Sequence, residues 1–231
     1  MKGVFLVVSS HYYQQALSAE RNREYTTAIG LFKCCLSFRG VDEGDLSFHV
    51  GWCIEQRDGV TASEALEWYE VATNKALEAG CRVNAWFRAG WIHMHRKETR
   101  KAVSMYRQAV AEGDLSSCIN EPYCHAVYWL GACFEAEGFF ADAGKQYRRA
   151  AALCPSLLPE AILREMRSLI AIGCYEKALE VSREFPLVPP AGVDRVRFEE
   201  LKSSVESEQA ALKKCMEQSF HPTSLVKHHA D

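Results

Sequence analysis

Apolar side chains recur along this chain at helical intervals, and in a repeated order. Four stretches share it: Ala16 with Ala28 and Phe32; Gly51 with Ala65, Tyr69 and Ala72; Gly90 with Ala102, Tyr106 and Ala109; Gly131 with Ala143, Tyr147 and Ala150. In each, a small residue lies on a first helix and an alanine opens a second. The second stretch is lengthened by two residues in its Arg57–Ser63 turn. An aromatic follows the alanine after four residues, and another alanine usually after seven. Those spacings place alanine, ring and alanine on one helix face. Small residues on both helices let the two backbones approach, and the ring fills the gap toward the next pair. The pattern predicts helical hairpins.

A fifth stretch, Ile162, Leu169, Tyr175 and Ala178, lacks the glycine and has Ser182 where the aromatic belongs. The anchors Ala28, Ala65, Ala102, Ala143 and Ala178 are unevenly spaced, so extra residues fall in loops, the longest expected over Asp114–Pro122. Thr61 and Glu64 read as a capping box opening the second helix of the second pair, with Gly80 placed to end it. Gly113 reads as the end of the third pair, Gly138 and Gly173 as turns inside hairpins, and Pro155 as a stop. Beyond the Pro-rich connector Phe185–Gly192, residues 193–218 set Phe198, Leu201, Val205, Leu212 and Met216 on one stripe. A helix apolar inside and polar outside is what closes the exposed end of a repeat array. Residues 219–231 are expected to be a frayed tail.

The fourth stretch carries the pattern most fully: Val127, Leu130-Gly131, Phe134, then Phe140, Ala143, Tyr147, Ala150 and Pro155. It resembles the tetratricopeptide repeat (TPR), whose order is aromatic, Leu-Gly, aromatic, then Ala, aromatic, Ala, Pro. The third stretch fits through Trp86, Ala89-Gly90, Ala102, Tyr106 and Ala109, and the resemblance spans about residues 9–190. It implies an all-α, right-handed α-solenoid of about five TPR-like helical hairpins over 1–190. A linker and capping helix over 191–218 would close that same domain.

Composition narrows the function classes. A formal charge of -3 over 231 residues removes the usual electrostatic case for nucleic acid or an anionic membrane. No apolar run approaches the roughly 20 residues that span a bilayer. Ten scattered cysteines, none in C-x-x-C spacing, suit a reducing compartment, and the expected location is the cytoplasm. No phosphate loop, dinucleotide fingerprint, nucleophile elbow or H-E-x-x-H occurs. Cys118, Cys124 and His125 could together bind a metal or oxidise, at unorthodox spacing. His93 reads as structural, and His221, His228 and His229 as solvated. The expectation is therefore a non-enzyme without cofactor.

The other stripe of each first helix carries the candidate site. Tyr13, Phe48, Trp52, Phe87, Trp91 and Tyr128 would line one inner groove, beside His49, Asn84, Arg88, His95 and His125. Some of these rings must also pack first helix against first helix. Rings with a few polar neighbours are what binding hot spots use. The best-known mode of the TPR family clamps a C-terminal carboxylate with Lys and Asn from successive first helices. Of the corresponding positions here, Tyr13, Leu17, His49, Asn84 and Arg88, only Arg88 is a suitable cation. The expected partner is thus an apolar peptide or helix of another protein. The alternative is a second copy of the chain, in a self-assembling scaffold.

Overall fold

The computed structural model describes residues 2–220. Among them are eleven α-helices: α1 (Lys2–Arg21), α2 (Tyr25–Cys35), α3 (Glu43–Asp58), α4 (Ser63–Lys75), α5 (Ala79–His95), α6 (Thr99–Ser116), α7 (Glu121–Ala136), α8 (Phe140–Leu153), α9 (Leu158–Ala171), α10 (Tyr175–Ser182) and α11 (Arg195–Phe220). A single 3-10 turn, Pro155–Leu157, lies between α8 and α9. The chain divides into two compact units, residues 1–133 and 134–231.

In the first unit α1 pairs with α2, α3 with α4 and α5 with α6. The alanine, ring and alanine of each second helix are fully buried, at Ala65, Tyr69 and Ala72 and again at Ala102, Tyr106 and Ala109. Glycine makes the close approach possible. Gly51 lies under the Tyr69 ring at 3.0 Å and Gly90 under the Tyr106 ring at 2.7 Å, measured to the place a Cβ would occupy. Any side chain at Gly90 would have to displace the buried Tyr106.

One turn is built five times. Arg23, Lys97, Ser117, Gly138 and Gly173 all take positive φ, between 54° and 81°. At each, the next residue's N–H reaches the carbonyl five residues back, as in Glu98 to His93 and Phe139 to Phe134. This is the Schellman stop, which asks for a left-handed residue at its first post-helical position. Glycine enters that region without penalty, yet Arg23 and Lys97 are held there by the same hydrogen bonds. Gly138 and Gly173 mark turns inside hairpins, as their sequence positions indicate.

Four sequence expectations are corrected. Thr61 does not cap α4; the helix starts at Ser63 behind Ala62, without a side-chain cap. Arg96 instead holds the Thr61 carbonyl with its guanidinium. Gly80 does not end α4, which stops at Lys75, but lies inside α5. Gly113 lies inside α6, where it makes room for the Tyr123 ring of α7; Ser117, at φ 54°, is the true stop. The long loop over Asp114–Pro122 consequently shrinks to residues 117–120, because both flanking helices extend into it. Gly113 is small because the Tyr123 ring needs the space, whereas a Cβ at Gly80 would come no closer than 3.6 Å to its neighbours.

In the second unit α11 packs on α9 and α10. Leu201, Val205 and Leu212 join Leu163, Met166 and Ala178 in one apolar cluster, and Phe198 is buried against Phe185, ring centres 5.4 Å apart. The helix opens two residues later than expected, with Asp194 accepting from the Arg197 N–H. Of the expected frayed tail, residues 219 and 220 belong to α11; the rest, with His221, His228 and His229, lies outside the described residues.

Candidate functional site

The first unit carries an open cleft of about 620 Å³. Its walls come from the first helices of successive hairpins and from α7. α1 supplies Glu20, α3 Phe48 and Trp52, α5 Asn84, Phe87, Arg88 and Trp91, and α7 Glu121, Pro122, His125 and Trp129. The i, i+4 pairs Phe48/Trp52, Phe87/Trp91 and His125/Trp129 each put two rings on one face of their helix. All six rings are only partly buried, unlike the second-helix tyrosines beneath them.

The rings also touch one another. Trp91 meets Trp129 edge to face with centres 5.1 Å apart, and Phe87 lies 6.0 Å from the His125 ring. Both readings of these side chains are thus realised at once, since they pack helix on helix and still present faces to the cleft. Such contacts are worth about 0.5–1.5 kcal/mol each beyond area burial.

Under the floor sits an ion pair. Glu55, its side chain fully buried, takes a hydrogen bond from the Tyr69 hydroxyl at 2.8 Å. The Arg88 guanidinium grips both oxygens of the same carboxylate, through Nε at 3.1 Å and through Nη2. The guanidinium lies over the Trp52 ring at 4.7 Å. Arg88 is therefore committed to Glu55, and the cation that looked available for a carboxylate clamp is already neutralised. Burial, then the Glu55 charge, pushes the Tyr69 phenol far up, so it stays a donor.

Of the eleven residues proposed from sequence, seven line the cleft: Phe48, Trp52, Asn84, Phe87, Arg88, Trp91 and His125. The other four do not. Tyr13 donates to Asp45 at 2.8 Å and borders a separate cavity of about 350 Å³ with Asp42 and Leu46. His49 stacks on Phe32, ring centres 4.9 Å apart, with Nδ1 2.7 Å from Glu20. His95 is exposed and donates from Nδ1 to the Trp91 carbonyl. Tyr128 is buried, 5% accessible. Trp129, its neighbour, was missed. The signal was present: His125 and Trp129 follow Phe87 and Trp91 by 38 residues, nearly the 39 separating Phe48 and Trp52 from those rings. The glycine register, Gly90 to Gly131, is 41 residues instead of 38 and sets α7 three residues out.

Beside the cleft, Cys53 points its thiol at Glu20. Burial, then the Glu20 charge, pushes this thiol up to about 12; burial, then Asp45 and Asp42, does the same for Cys81. At pH 8 only about one such thiol in ten thousand is ionised, and the thiolate is the nucleophile. Brief alkylation of the native chain at pH 8 should label the exposed Cys34 and Cys215 and reach Cys53 and Cys81 only in denaturant. Peptide mass spectrometry reads this directly; early labelling of Cys53 would contradict the placement. Cys124 is buried on α7, away from the loop ligand set the sequence suggested. Among the described residues no three His, Cys, Asp or Glu side chains converge as metal ligands. No described helix is long and apolar enough to cross a membrane.

No protein-family model matches the sequence, and no curated protein matches it either. Solved structures do. The chain is similar to apo RapI (13% identity, TM-score 0.63, covering 93% of this chain and 78% of that one). It is also similar to MamA (18%, TM-score 0.58, 78% and 98%). A third match is YrrB, described as a TPR protein with an unusual peptide-binding site (16%, TM-score 0.57, 89% and 90%). At such identities the likeness establishes architecture alone. With the buried alanine–ring–alanine faces and paired helices, it identifies the chain as an all-α protein of TPR-like solenoid fold.

Proposed function

We propose that this chain is a non-catalytic interaction module that holds a peptide or helix of another protein in the aromatic cleft of its first unit. The observation that carries the reading is the cleft itself. Six partly buried rings from three successive first helices converge on one concavity, while the packing rings behind them are fully enclosed. Partly exposed Trp and Phe side chains with a few polar neighbours are the residues on which interfaces concentrate their binding energy. Asn84, on the same wall, offers a donor and an acceptor to a bound backbone. The similarity to YrrB, whose structure is described as holding a peptide-binding site, supports the same use of the fold.

A photo-crosslinking residue in place of Asn84 tests it in native extract, with the same residue at exposed Gln108 on α6 as the control. Capture of a defined partner segment from position 84 and not from 108 is expected. Equal capture from both positions would remove the cleft from the account.

A further inference from the structure

The walls of the cleft are aromatic, but its charge is one-sided. Two carboxylates line it, Glu20 from α1 and Glu121 from α7. Arg88 is the one cationic residue among those lining it, and its Nε and Nη2 are spent on Glu55 beneath the floor. Glu121 is well exposed at the rim, with the His125 Nε2 at 3.7 Å. On Glu20 the Oε2 atom receives His49 and the Cys53 thiol.

Resting on the peptide-cleft reading, we infer that the occupant is a basic segment whose Arg or Lys side chain enters the cleft and lies against the indoles of Trp91 and Trp129. Three physical facts lead there. Glu20 is already largely enclosed and held by His49, but any ligand that covers the cleft takes the exposed Glu121 out of water, and a carboxylate desolvated without a counter-ion is strongly penalised. A cation on the ligand removes that penalty; an acidic ligand doubles it. The face of an indole attracts a cation through its ring quadrupole, most strongly where water is excluded. The protein already uses this wall in that way, since the Arg88 guanidinium occupies the Trp52 face at 4.7 Å. With Trp52 taken, Trp91 and Trp129, set edge to face at 5.1 Å, are the indoles of the lining that remain for an incoming cation, with the exposed His95 ring 4.2 Å from Trp91. A neutral apolar segment would fill the volume but bury Glu121 with only the His125 ring beside it.

A combinatorial library of short peptides displayed on beads, incubated with the intact chain, distinguishes the cases. Arg and Lys should be about thirtyfold enriched over Asp and Glu among the captured peptides, the discrimination that one desolvated cation–π contact gives. Binding of a captured basic peptide should weaken several-fold in Glu121→Gln, which changes only a rim charge, and further in Trp129→Ala. It should also weaken as salt is raised. The melting temperature of each variant is measured alongside. Should Trp129→Ala fail to fold, Glu121→Gln and the salt series still decide the matter. Captured peptides that are neutral or acidic, yet lost in Trp129→Ala, would overturn the cation while leaving the peptide cleft standing. No capture at all, or capture indifferent to both variants, would overturn the two together.

Discussion

Deleting residues 191–231 is expected to unfold the second unit at room temperature. The deletion removes α11, which buries Phe198, Leu201, Val205 and Leu212, all at most 6% accessible. Full burial of such a side chain contributes about 1.5–3 kcal/mol, so the four together contribute on the order of 6–12 kcal/mol. That is comparable with the whole stability of an ordinary domain, about 5–15 kcal/mol. The loss is two-sided, since Leu163, Met166 and Ala178 would then face water. Polar ties go with it, including Arg167 to Glu208 at 2.7 Å and Gln209 to Ser182 at 2.6 Å. The truncated chain should lose a cooperative thermal transition or aggregate on expression. If calorimetry shows it melting like the intact chain, α11 is not the element that closes this unit.

Replacing Arg88 with Leu is expected to cost about 3–5 kcal/mol, the penalty for breaking a buried pair by removing one partner. The Glu55 side chain is fully buried, and Arg88 is 16% accessible. Without the guanidinium, Glu55 would keep the Tyr69 hydroxyl but no counter-charge. Replacing both members, Glu55→Gln with Arg88→Leu, should recover much of the loss, because a neutral amide can still accept from Tyr69. Denaturant midpoints of the two variants make the comparison. Equal destabilisation by single and double replacement would mean that Arg88 acts by packing on Trp52 rather than by its charge.

The repeat order on the second helices was fully legible because it is forced by sterics. Ala65, Ala102 and Ala143 are fully buried, as are the rings one turn on at Tyr69, Tyr106 and Tyr147. Helix ends were legible where Pro155 or a glycine in a turn decides them, at Gly138 and Gly173. They were not where the stop is made by hydrogen bonds that hold Arg23, Lys97 and Ser117 left-handed. A glycine can end a helix, admit a ring as Gly113 does, or simply lie within a helix as Gly80 does, and composition alone does not separate these. The site was half legible for a similar reason. Helical spacing put Phe48, Trp52, Phe87 and Trp91 on one face. On α7 the register taken from Gly131 runs three residues off the ring register and brings in Tyr128 instead of Trp129. The burial of Arg88 on Glu55 depends on contact between α3 and α5, which no local pattern records.

The rings of the cleft both pack and face outward, so the account turns on which role dominates at its centre. Trp91 is the side chain to ask. Trp91→Ala, with thermal stability and binding of a cleft peptide measured on the same preparation, tests the central claim most directly. If the cleft is the binding surface, affinity should fall by about 2 kcal/mol or more, roughly thirtyfold, while stability falls much less. A loss of about 3–5 kcal/mol of stability, with binding reduced only in proportion to the unfolded fraction, is what truncating a core ring produces. That result would make the aromatic ladder packing and leave the binding surface elsewhere.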